Sequence, residues 1–272
     1  MLPRVDLIRA DQNSWLLLNN SDHISDFIRK NGYWGLTEFT IAKVFIEDQE
    51  NVNVVDVGAN LGGFTIPTAK LISNKNGLVH AFEPQRIVFQ QLCANIFLNR
   101  LDNVHCYNFA LGSSIGKIKI PELDFWKSKN VGGFSVDTTI RENIKEEALS
   151  GKTFLNTETD TIFSVEQKTL DALKFDFDIT IIKVDVEGYE LEFFKGSFKT
   201  VKSSNFPPII FELWEEKKWY ANKAKKTKKI LSDWGYEFNH FGREILAQHP
   251  AHQRQCQIIQ NGNNYELKIV TK

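Results

Sequence analysis

The 272-residue chain carries 33 basic and 34 acidic residues, a formal net charge of −1, so no global field points to a nucleic acid or an anionic membrane surface. Its length suits one large α/β domain, or one domain with insertions, around a sizeable core. No apolar run reaches the roughly 18–20 residues that cross a bilayer, and Met1 to Asp6 lacks a signal peptide's apolar stretch, so a cytoplasmic protein with no membrane span is expected.

Residues 1–50 precede the core as a leader. Trp15 to Leu18 reads as a short strand, and Ser25 to Lys30 and Thr37 to Ile46 as helical pieces, the second with apolar residues 41, 44 and 45 at helical spacing. Such a leader is expected over the mouth of a ligand site. Tyr33, Trp34 and Glu38 are therefore candidates for ligand contact, with simple packing onto the sheet as the alternative.

Val52 to Val57 is a nearly continuous β-branched run, the pattern of a buried parallel strand. It leads into a turn with Gly58, Gly62 and Gly63, where the backbone can approach a ligand closely. In open α/β sheets, ligands sit outside the carboxyl ends of the strands, near the reversal of strand order. Phe64 to Ser73 then reads as a helix, Leu78 to Phe82 as the second strand, Gln85 to Arg100 as a helix and Val104 to Leu111 as the third strand. Asn108, with Ala110 just beyond it, falls near the end of this strand, where it could meet a ligand or merely cap the strand.

The long excursion from about 112 to 178 contains strand-like alternation at Ile115 to Ile120 and Ile162 to Lys168, a loop at Asn130 to Ser135, and a charged helical stretch, Arg141 to Leu149. Insertions of this length usually carry function, so substrate selection is expected there. Ile179 to Val184 is the fourth strand, running into Asp185-Val186-Glu187-Gly188. Lys183 and Asp185 share strand parity, which puts both on one side if alternation holds. Leu191 to Val201 reads as a helix and Pro207 to Leu213 as the fifth strand, ending near Glu212. Lys217 to Trp234 is a lysine-rich helix, read as a solvated face. Tyr236 to Phe241 and Cys256 to Gln260 are expected to close the sheet as an antiparallel hairpin, with Tyr265 to Val270 as an added edge strand. Cys93, Cys106 and Cys256 read as reduced core thiols.

Glu83, at the end of the second strand and 21 residues after Gly62, can accept both hydroxyls of a ribose. That spacing suits NAD and S-adenosylmethionine alike. Asp56 separates them, because it stands where a dinucleotide fingerprint has its first glycine. A carboxylate there repels a pyrophosphate and suits the positive amino group of a methionine moiety.

Four pieces in fixed order, Val55-Asp56-Val57-Gly58-Ala59-Asn60-Leu61-Gly62, Ala81-Phe82-Glu83-Pro84, Lys183-Val184-Asp185-Val186-Glu187-Gly188-Tyr189-Glu190 and Ile209-Ile210-Phe211-Glu212, resemble the FkbM family of S-adenosylmethionine-dependent methyltransferases. The resemblance implies a Rossmann-like, doubly wound, mostly parallel seven-stranded α/β sheet with a terminal antiparallel hairpin. It places a class I methyltransferase domain over residues 51–272, with the leader before it and the insertion between the third and fourth core strands. It also implies S-adenosyl-L-methionine as cofactor, held by Asp56, Gly58, Ala59, Asn60, Gly62, Phe64, Thr65, Glu83, Pro84, Asn108, Ala110 and Glu38. The implied acceptor is a small molecule or glycan, with a sugar hydroxyl foremost and a nitrogen or non-sugar acceptor as the alternative. A non-catalytic cofactor-binding scaffold is the reading from outside enzymology, and the acids at 56, 83 and 185 weigh against it. Homo-oligomerisation is compatible with all of these.

An alcohol is a poor nucleophile near neutral pH, so the acceptor needs a general base or a metal that lowers its pKa. Asp185, Glu187 and Glu212 are expected on the acceptor side, and His240 is a further candidate base. Asp185 and Glu212 also suit Mg²⁺, which prefers oxygen ligands. His249 and His252 are better read as loop residues beside Pro250.

Overall fold

The computed structural model describes every residue except 11, 21, 263 and 272, and not the side chains at 260, 261, 264, 265, 269 and 271. The chain opens with a hairpin, β1 (Val5–Ala10) and β2 (Asn13–Leu18), followed by α1 (His23–Asn31) and α2 (Leu36–Ile46). Trp15 and Leu17 are fully buried. The Asn95 carboxamide accepts from Leu16 N at 2.7 Å and donates to the Leu61 carbonyl at 2.9 Å, so one core side chain ties the leader to the glycine turn. The sequence misses β1 because its side chains alternate between exposed and half-buried, with no fully buried face.

β3 (Asn53–Val57), α3 (Thr65–Ile72), β4 (Leu78–Phe82), α4 (Arg86–Leu98) and β5 (Val104–Tyr107) follow as two right-sized βα units. Every residue of β3 is buried, as a strand covered on both faces requires. The third strand is shorter than expected. It ends at Tyr107 because the Asn108 carboxamide turns to donate to the Glu83 and Pro84 carbonyls, at 2.8 and 3.1 Å. The chain then leaves the main sheet as β6 (Ala110–Leu111), which joins β7 (Gly116–Leu123) and β8 (Glu158–Lys168) in a separate three-stranded sheet, with α5 (Thr138–Leu149) between the last two.

β9 (Ile181–Val184) re-enters the main sheet, followed by α6 (Glu190–Lys195), α7 (Phe198–Ser203), β10 (Ile209–Glu212), α8 (Ala221–Asp233), β11 (Glu237–Phe241) and β12 (Glu244–Gln248). The single helix expected over 191–201 is two, broken at Gly196. A Cβ there would stand 2.1 Å from the Gly112 carbonyl oxygen, so the chain stops turning where two backbones meet. The seven-stranded order is β11-β12-β10-β9-β3-β4-β5, with β12 antiparallel to its neighbours and strand order reversing between β3 and β9.

The return strand of the closing hairpin is thus β12, not Cys256 to Gln260. That stretch lies in β13 (Arg254–Asn261), which pairs with β14 (Asn264–Thr271) as a two-stranded sheet of its own, so 265–270 adds no edge to the main sheet. Burial explains the outcome: Ile245, Leu246 and Ala247 are wholly buried and fill the core beside β10. All three cysteines are free. No helix among the described residues is long and apolar enough to cross a membrane.

Candidate active site

The carboxyl ends of β3, β4 and β9 open into a cleft of about 1060 Å³, counting its open mouth. Its floor is backbone. Gly58 N and Ala59 N both donate to the Phe82 carbonyl at 2.9 Å, and Asp185 N donates to the Val57 carbonyl at 2.9 Å. Gly58 has φ +77°, and a Cβ on it would lie 1.8 Å from the Asp185 carbonyl oxygen. Only glycine lets the two strand ends meet so closely.

Glu83 is nearly buried at the end of β4, its two oxygens accepting from Asn60 N at 3.0 Å and Gln85 N at 2.9 Å. Burial pushes its pKa up to about 7, against the pull of those two N–H donors. Each oxygen keeps lone-pair capacity for a further donor. Asn60, which sits in the left-handed region at φ 51°, Ala59, Phe64 and Pro84 complete this side.

Across the reversal point, Lys183 is 6% exposed. Its ammonium donates to the Gly58 carbonyl at 3.0 Å and lies 3.4 Å from both Asp56 Oδ1 and Asp185 Oδ2. Burial opposes the charge, but Asp56, Asp185, Glu38 and Glu244 more than offset it, and the lysine's pKa is raised. Glu187, at φ 51° and followed by Gly188 at φ 91°, occupies a strained turn of a kind that functional sites often store. Burial first, then Asp185, Glu212 and Glu190, push the Glu187 pKa well up. Glu38, from the first turn of α2, is raised by burial as well. His23, Trp34, Gly132 and Phe134 wall the mouth. The leader and the insertion latch together there: Asp22 caps α1 through Ser25 N and also accepts from Val131 N at 2.7 Å.

A glycine-turned parallel strand, an acid at the end of the next strand and an acidic turn across the reversal point form one site. A profile described as the Methyltransferase FkbM domain matches residues 56–238, about two thirds of the chain. The chain belongs to the FkbM methyltransferase family. Methyltransferase sdnD of Sordaria araneosa is 27% identical over 85% of this chain and 89% of its own length. The tRNA(Phe) (4-demethylwyosine(37)-C(7)) aminocarboxypropyltransferase of Methanocaldococcus jannaschii is 49% identical over 55 residues, so the chain spans about a fifth of that enzyme's length. A solved FkbM methyltransferase from Methylobacillus flagellatus KT aligns with TM-score 0.45 and 18% identity, covering 74% of this chain and 44% of that one.

Of the FkbM residues expected from sequence, Gly58, Ala59, Asn60, Phe64, Glu83, Pro84, Ala110, Glu38, Asp185 and Glu187 line the cleft, as does Trp34. Asp56, Gly62, Thr65, Asn108, Glu212 and His240 do not. Asp56 is fully buried beneath the turn, accepting from the Thr65 hydroxyl at 2.5 Å, so both residues anchor the floor instead of touching a ligand. Gly62 packs on Ile66 and Leu92. Asn108 spends its amide on the loop after β4 and positions Glu83 from behind. Glu212 leans toward Arg243, 3.9 Å away, and burial together with Asp185 and Glu190 pushes its pKa up to about 8.

His240 lies on β11, three strands from β9 and so roughly 14 Å away at ordinary strand spacing. It is half exposed beside Lys228 and Glu215, which removes it as a base for this cleft. Asp185 is ion-paired with Lys183, and no group of three or more His, Cys, Asp or Glu among the described residues is arranged to hold a metal, so Mg²⁺ finds no support in the donor set. The sequence leaves Lys183 without a role and does not single out Tyr189 or His23, both in the cleft wall. The shared parity of 183 and 185 was the one available signal for the lysine.

Proposed function

We propose that this FkbM protein is an S-adenosylmethionine-dependent O-methyltransferase acting on a hydroxyl of a sugar-bearing small molecule or glycan. The observation that carries the reading is the charge balance of the cleft. Glu38, Glu83, Asp185 and Glu187 line it, and among the described residues the one lysine or arginine in its wall is Lys183, whose ammonium is already engaged. A cationic ligand is favoured in such a site, because it offsets the burial and crowding that raise the Glu83 and Glu187 pKa values, whereas the pyrophosphate of a dinucleotide adds negative charge to it. The donor set therefore fits S-adenosylmethionine, which supplies an electrophilic methyl group on a positively charged sulfur.

The protein's own part is chiefly positioning, worth up to ~7–11 kcal/mol in well-oriented reactions. Glu83 would accept the ribose hydroxyls, with Ala59, Asn60, Phe64 and Pro84 packing around them. Asp185 and Glu187 would orient the acceptor hydroxyl. Glu187, its pKa lifted by burial and by neighbouring acids, is suited to take the proton that the hydroxyl must lose. Carboxylates beside the rings of Trp34, Phe134 and Tyr189 suit a sugar, which offers hydroxyls at its edge and C–H bonds on its faces.

Thermal unfolding with S-adenosylhomocysteine tests the cofactor. Ligand at about 100 times the dissociation constant adds ~2.7 kcal/mol, a rise of several degrees for a chain of this size at ~2–4 °C per kcal/mol. A rise with NAD alone would overturn the reading. Asp185→Asn and Glu187→Gln should keep S-adenosylhomocysteine binding and lose methyl transfer to a panel of sugar acceptors. Full turnover by both variants would remove them from the acceptor side.

A further inference from the structure

Lys183 stands where strand order reverses, between the glycine turn after β3 and the acidic turn after β9. The pairing of β3 with β9 sets Lys183 opposite Asp56, and its side chain runs up to the Gly58 carbonyl and to Asp185 beyond the strand end. Its ammonium gives one hydrogen bond to the Gly58 carbonyl, and its charge is shared between two carboxylates 3.4 Å away. It is therefore poorly placed to move a proton or to grip an acceptor. Carboxylates face it from four elements, Asp56 from β3, Asp185 from the end of β9, Glu38 from α2 and Glu244 from β12, with Glu83 after β4 and the Glu187 turn also within its field.

We propose that Lys183 is the positioning residue that sets how strongly this cleft prefers a positively charged donor over its neutral thioether product. The proposal rests on the reading of the cleft as an S-adenosylmethionine site. Methyl transfer removes the positive charge from sulfur. Carboxylates that hold that charge tightly before reaction lose the interaction on the way to the transition state, and only interactions that strengthen there accelerate the step. Yet ribose binding and proton removal both require carboxylates nearby. A single buried cation reconciles these demands, since it weakens the hold on the sulfonium while keeping the acids in place.

Calorimetric titration of S-adenosylmethionine and of S-adenosylhomocysteine at pH 8.5, with wild type, Lys183→Met and Lys183→Arg, tests this. Lys183→Met should shift the ratio of the two dissociation constants toward the cationic ligand by about tenfold, the scale of one uncompensated charge at partly shielded range. Lys183→Arg should restore the ratio. Should Lys183→Met fail to fold, Glu38→Gln, which removes a facing carboxylate, should shift the ratio the opposite way. Equal weakening of both ligands in Lys183→Met would make the lysine a mere tie between strands and overturn the proposal, as would an unmoved ratio in Glu38→Gln. Wild-type protein that binds neither ligand would overturn the cofactor reading itself.

Discussion

The floor of the cleft and the wall supplied by the insertion are built on different physical terms. In the floor, backbone meets backbone at Gly58 and Asp185, charges are buried, and each polar contact fixes a second one, as when Asn108 holds the loop that aims Glu83 at Asn60 N. The wall is joined by partly buried ion pairs between side chains: Arg141 with Glu158 at 2.9 Å, Lys223 with Asp137 at 2.8 Å, and Lys217 with Glu147. Fully buried, interlocked groups cost several kcal/mol to disturb, whereas single side-chain pairs that keep some contact with water contribute about 1–2 kcal/mol. A floor of the first kind can hold one cofactor unchanged while a wall of the second kind is free to vary with the acceptor.

Gly58→Ala should break this contrast most severely. The added methyl would sit 1.8 Å from the Asp185 oxygen, at a φ that costs a side chain roughly 1–2 kcal/mol even in open space. Loss of S-adenosylhomocysteine binding and destabilisation by several kcal/mol in denaturant titration are expected. A variant with wild-type stability and affinity would mean that the strand ends are not tied as described.

Next in size is the electrostatic strain stored in the floor. Glu83 and Glu212 hold their protons up to about 7 and 8 when folded, against an unperturbed 4.5. Between those values the folded protein binds protons that the unfolded chain has released, so stability falls as pH rises from about 5 to 8. The Glu83 contribution is on the order of 3 kcal/mol. The melting temperature of the ligand-free protein should drop over that range, and Glu83→Gln should flatten the part below about pH 7 while weakening S-adenosylhomocysteine at least about tenfold. An unchanged slope in the variant would take Glu83 out of this account.

The same contrast decides what could be read from sequence. Leu78–Phe82 and the strand before the glycine turn were legible, since a strand buried on both faces must be an apolar run. So were the acids at the strand ends, because the fold fixes where ligands bind. The burial of Asp56 was not legible: alone in sequence it is a free carboxylate, and only the register of β3 with β9 sets Lys183 beside it. The closing strand Glu244–Gln248 was hidden for a related reason. It and the stretch around Cys256 each carry three apolar residues, so local pattern does not choose between them and tertiary burial beside β10 does. His240 is near the end of a late strand in the sequence, but order within the sheet, not order along the chain, sets its distance from the cleft.

The smallest effect is expected in the wall. Lys223 reaches from α8 across to Asp137, the residue that caps α5 through Thr139 N, and both side chains are about four-fifths buried. Asp137 keeps its cap and some contact with water without the lysine, so Lys223→Met should cost about 1–2 kcal/mol. S-adenosylhomocysteine affinity should stay within about twofold of wild type, because none of the charges that line the floor is altered. What should change is the setting of α5, whose Ile140 packs against Gly188 beside the acceptor turn. A rise in KM for the acceptor at unchanged donor affinity is therefore the expected signature. Equal losses for donor and acceptor would show that floor and wall are mechanically one piece, and the division between a fixed cofactor site and a variable acceptor site would fall.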